Sequence, residues 1–93
     1  MNVSYQIGAG RVTVSAEAEN ALLDALRALD DRFATNAIDF LEASADNGQD
    51  LGAMLASAEV AAIAQAAAAT PARVHHELEQ LVAVIQGAVV GSG

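Results

Sequence analysis

Residues 15–50 read SAEAENALLDALRALDDRFATNAIDFLEASADNGQD, and this stretch decides how the rest of the chain is read. Leu22, Leu26, Leu29, Phe33, Asn36 and Phe40 recur at alternating spacings of four and three, the period of a coiled-coil seam. Leu23, Ala37 and Leu41 widen the stripe, and Ile38 falls on another face, which suggests a second contact. Ser15 is placed to cap the helix, with Glu17 and Glu19 in its first turns, where carboxylates suit the dipole. Asp24, Asp30, Asp31 and Glu42 lie outside the seam and read as solvent-facing. The pattern predicts one helix over 15–46, about 48 Å long at 1.5 Å per residue. It ends at Asp46-Asn47-Gly48: Asn47-Gly48 is a turn signal, and Gly48 suits a position that needs positive φ. Asp50 can cap the next helix, and so short a connection joins antiparallel neighbours.

Residues 51–90 form a second helical region. Val60, Ile63, Ala67, Thr70, Val74, Leu78, Leu81, Ile85 and Ala88 recur at spacings of three or four, keeping nearly one phase across Thr70-Pro71. That favours a single helix kinked at Pro71 over a helix that ends near Ala69 and another that starts with Thr70 as N-cap and Pro71 at its first position. Ala66–Ala69 offers a close-contact face, while Gly87, Gly91 and Gly93 weaken the tail as a helix.

Residues 1–14 have two readings. Val3, Tyr5 and Ile7 alternate with polar residues before Gly8-Ala9-Gly10, and Val12 and Val14 flank Thr13, a short β-hairpin signal. The favoured reading is an extended lead-in, because nothing later looks like a partner strand and an isolated hairpin is marginal in water.

Composition points the same way. Of 93 residues, 23 are alanine and only 27 are larger apolar ones, with two Phe, one Tyr and no Trp. Alanine favours helix but adds little to a core. The expected fold is therefore all-α: an antiparallel hairpin of two long helices, completed as a four-helix bundle by dimerisation. Its interface would be Leu22, Leu26, Leu29, Phe33, Phe40, Val60, Ile63, Val74, Leu78, Leu81 and Ile85, with the turn at Asn47 and Gly48.

Charge narrows the function. Twelve acidic residues face four arginines and no lysine, a net charge of −8. Such a surface repels phosphate backbones and anionic membranes, so no nucleic-acid partner is expected. Ten carboxylates lie in residues 17–59, and the near-neutral, apolar last third is the best hint of an association surface. The apolar run from Leu81 to Gly91 is too short to span a membrane, and the N-terminus lacks the pattern of a cleavable signal peptide. The absence of cysteine leaves the redox compartment open.

No constellation for catalysis stands out, so no enzyme activity, cofactor or metal is expected. His75 and His76 point about 100° apart on a helix, and Glu79 at i+4 from His75 completes only two ligands. Arg73 and Glu77 read as an i,i+4 surface pair. Gly8-Ala9-Gly10 lacks the setting of a phosphate loop and reads as a turn. Asn36, inside the seam, would either fix register or meet water at its edge.

A small, acidic, cysteine-free, alanine-rich chain with Tyr5-Gln6-Ile7 ahead of a long heptad helix, a turn at 46–50 and a second amphipathic helix resembles the WXG-type proteins of type VII (ESX) secretion. It would be a divergent member, keeping Gly48 but not the tryptophan of the Trp-x-Gly turn. The resemblance implies a homodimer, or a heterodimer with a similar helical hairpin or a toxin-type substrate. It also implies a cytoplasmic protein open to export by a type VII pathway without a cleavable signal peptide. The alternative is an intracellular adaptor or immunity-type protein that neutralises a basic partner through its acidic face.

Overall fold

The computed structural model describes residues 1–90 and overturns the all-α expectation. Among the described residues two antiparallel strands, β1 (Asn2–Ile7) and β2 (Gly10–Ser15), precede five helices. These are α1 (Ala16–Leu29), α2 (Arg32–Ser44), α3 (Leu51–Met54), α4 (Ser57–Ala68) and α5 (Ala72–Val90). The architecture is mixed α/β, so neither the two-helix hairpin nor the four-helix bundle describes it. The longest extent is 30 Å, too short for a single straight helix over residues 15–46.

The first break is at Asp30-Asp31. Asp30 adopts a left-handed conformation with φ 50° and closes α1, a position that Asp tolerates better than bulkier residues. Asp31 then starts α2, its carboxylate accepting from the backbone N–H groups of Phe33 (2.7 Å) and Ala34 (3.1 Å). The turn shifts the buried register by one residue. α1 buries Ala18, Leu22, Leu23 and Leu26, but α2 buries Ala34, Ala37, Leu41 and Ser44 rather than Phe33, Asn36 and Phe40. The seam across Leu29–Phe33 is thus a coincidence of spacing across two differently directed helices. Ser15 does cap α1, its hydroxyl accepting from the Ala18 N–H at 3.1 Å.

The second break falls at Thr70-Pro71, where the kinked helix was expected. α4 ends at Ala68 and α5 begins at Ala72, so the helix breaks as in the alternative reading, but Thr70 is not the N-cap of α5 and Pro71 lies just before its first residue. Thr70 is buried, and its hydroxyl donates to the Ala67 carbonyl at 2.6 Å, so it closes α4. α5 continues through Gly87 to Val90, whereas Gly91 and Gly93 lie outside the described residues.

The N-terminal segment is the hairpin and not the lead-in. Strand pairing runs from Asn2 with Ser15 to Ile7 with Gly10, closed by Gly8-Ala9, with Gly8 at φ 60°. Positive φ confined to the first of two loop residues is the mark of a type II′ turn. Tyr5, Ile7 and Val14 point into the helices and are buried. The partner that the sequence hid is the irregular segment after α2. The Ser4 N–H donates to the Asp46 carboxylate (3.0 Å), the Asp46 N–H donates to the Ser4 carbonyl (2.9 Å), and Gln6 bridges to Asp50. Asp50 also caps α3 through Gly52 N–H (2.9 Å) while accepting from Gly8 N–H (2.8 Å). The turn itself is the one the sequence encodes: Gly48 has φ 73°, and the Asn47 side chain donates to the Ala43 carbonyl at 2.7 Å.

α4 lies at the centre of the helical layer, packed against α1, α2 and α5. Its buried residues are small, with Ala62, Ala66 and Ala67 beside Val60 and Ile63, so three helices can approach it closely. The core thus closes within one chain, and large apolar residues from every element share it.

Candidate interaction surface

Of the eleven positions expected at an interface, eight are spent inside this core. Leu22, Leu26, Val60, Ile63, Val74, Leu78, Leu81 and Ile85 are each at most 6% exposed. Leu29 and Phe40 are half-buried against the core edge, and Phe33 is 36% exposed with the Arg32 guanidinium 5.0 Å from its ring centroid. Asn36 is exposed, so it meets water.

Five of the twelve carboxylates hold the backbone. Asp31, Asp46, Asp50 and Glu59 accept from main-chain N–H groups. Glu77 does not meet Arg73 but accepts from the Ser15 N–H (2.8 Å) and hydroxyl (3.0 Å), fastening β2 to α5. Arg73 instead pairs with Glu17 at 2.7 Å, in the open cleft between α1 and the start of α5. Glu19 accepts from the Tyr5 hydroxyl at 2.6 Å. Burial first, then this hydrogen bond and the nearby charges of Glu19, Asp46 and Glu42, push the Tyr5 pKa well above its ordinary value of 10.0. A buried phenol held neutral this way is a structural tie.

The histidines do not converge. His76 faces solvent beside Gln80, and His75 lies with Nε2 3.3 Å from the Ala68 carbonyl. Among the described residues no three His, Cys, Asp or Glu side chains come together as a metal site would need.

What remains exposed and distinctive is the outer face of α4 and α5. A shallow groove of about 320 Å³ between them is lined by Ala64, Ala67 and Ala68 of α4 and by His75, Glu79, Val82, Ala83 and Gln86 of α5. Past Gln86 it continues between Ser57, Ala61 and Val89. α4 exposes Ser57, Ala61, Gln65 and Ala68, and α5 beyond Glu79 exposes Gln80, Ala83, Val84, Gln86 and Gly87, so this face carries Glu79 as its only charge along the groove. Val84 is 40% exposed. The surface was legible as a charge-poor last third, but the small apolar residues that form it were overshadowed by the large ones that became core.

No protein-family model matches the chain, and no curated protein or solved structure matches it either. No described helix is long and apolar enough to cross a membrane.

Proposed function

We propose that this chain is a non-enzymatic protein-association domain that uses the outer α4–α5 face as its contact surface. The observation that carries the reading is the charge-poor groove between α4 and α5, where Glu79 is the one carboxylate among the lining residues, on a molecule of net charge −8. Small alanine side chains lining a groove between two helices leave room for the large side chains of a third helix, and contact there brings few like charges together. The reading does not depend on the type VII resemblance, whose long-hairpin geometry the fold lacks. It differs from an adaptor that grips a basic partner through exposed carboxylates such as Asp24, Asp39 and Glu42.

Two helical peptides of equal length separate these possibilities, one neutral and leucine-rich, the other lysine-rich. Titrated into the labelled protein, the neutral peptide is expected to shift amide resonances of residues 57–68 and 75–89. Shifts confined to α1 and α2, seen only with the lysine-rich peptide and lost in salt, would instead establish the acidic-face adaptor.

A further inference from the structure

The α4–α5 face is also suited to one particular occupant. Resting on the association reading, we infer that a second copy of this chain docks there, with the two α5 helices antiparallel about a two-fold axis between Val82 and Ala83. Charge is the first reason. Association of two chains of net charge −8 is opposed wherever carboxylates meet, and ten of the twelve lie in residues 17–59, outside α5. Groove meeting groove leaves those carboxylates in water and brings together alanine, valine and glutamine, with His75 and Glu79 beside them.

The direction is set by Glu79. A parallel pair would set Glu79 beside its own copy. An antiparallel pair centred between Val82 and Ala83 puts Glu79 opposite Gln86, whose amide can donate to the carboxylate. The two Glu79 side chains then stand seven residues apart along the axis, about 10 Å, which is roughly one Debye length at 0.1 M salt. Small Ala83 and Gly87 on the exposed side of α5 allow the two helices to approach closely.

Area sets the strength. A stable dimer commonly buries about 800 Å² per partner. That would be about one sixth of this molecule's 4891 Å². The segment from His75 to Val89 is only about 22 Å long, so the patch falls short of that size and the dimer is weak.

Sedimentation equilibrium of the full chain from about 10 µM to 1 mM is expected to show a monomer–dimer equilibrium in that range. Ala83→Glu, at an exposed helical position, should raise the Kd at least tenfold with an unchanged circular dichroism spectrum. Mixing Ala83→Glu with Ala83→Arg should restore dimers, because position 83 lies near its own copy. As the native chain has no cysteine, Glu79→Cys and Gln86→Cys report direction: mixed chains should cross-link 79 to 86 far faster than 79 to 79. A wild-type chain still monomeric at 1 mM overturns the inference, and so does a dimer indifferent to Ala83→Glu or cross-linked 79 to 79. If the neutral peptide still shifts the α4–α5 resonances of a monomeric chain, the association reading stands and only the second copy is wrong. If it does not, both fail.

Discussion

Single side chains set the local geometry. Asp31 accepts the first free N–H groups of α2, and Asp30 turns the chain so that α2 leaves in a new direction. Asp31→Ala should cost about 1 kcal/mol in urea unfolding, the usual worth of an N-cap. Tyr5 is fully buried, and it is the chain's only tyrosine, which makes its ionisation easy to follow. Its pKa is higher in the folded than in the unfolded state. The stability this brings is whole below the unfolded value of about 10 and declines as pH rises above it. Tyrosinate absorbance should therefore appear together with loss of helical circular dichroism, and not before it. Tyr5→Phe should remove this tie at a cost of about 1 kcal/mol and delay alkaline unfolding.

At the scale of elements, the hairpin shows how little a short segment reveals of its fate. The alternation of Val3, Tyr5 and Ile7 with polar residues and the turn at Gly8 were legible. The reason the hairpin is stable was not, since it lies in Asp46 and Asp50, more than thirty residues away, and in Glu77, which are ordinary acidic residues in sequence. Such contacts exist only once the helices have brought those carboxylates to the strand. Glu77→Ala should loosen β2 from α5, costing about 1.5–3 kcal/mol for the charge-assisted bonds lost. Hydrogen exchange should quicken at Ser15 while the centre of α4 keeps its protection. The helices themselves were easier to find than their ends. Two long amphipathic regions became four main helices because Asp30-Asp31 and Thr70-Pro71 act as stops, which periodicity alone does not report.

Over the whole molecule, the division between core and surface decides how much a substitution costs. Leu26 is fully buried where α1 meets its neighbours. Leu26→Ala should cost about 2–5 kcal/mol, a large part of the stability of a chain this size, and lower the Tm accordingly. Phe33→Glu is the contrasting case. Phe33 is partly exposed near the start of α2, where a carboxylate suits the helix dipole. The variant should unfold within about 1 kcal/mol of wild type in urea.

The sequence by itself determined the helical content of residues 15–90, the turn at Asn47-Gly48, the capping residues Ser15 and Asp50, and the charge-poor last third. These are local properties of propensity, spacing and composition. Only the tertiary structure decided where the helices break, which apolar residues close the core, and that the first fifteen residues pair as strands. The same 4-3 spacing is compatible with one helix or with two helices buried in shifted registers. The choice depends on whether alanines such as Ala34 and Ala37 find a close-packed neighbour in α4. With that packing satisfied inside one chain, the scarcity of large residues no longer demands a partner, and the outer α4–α5 face is left as a charge-poor surface of small side chains.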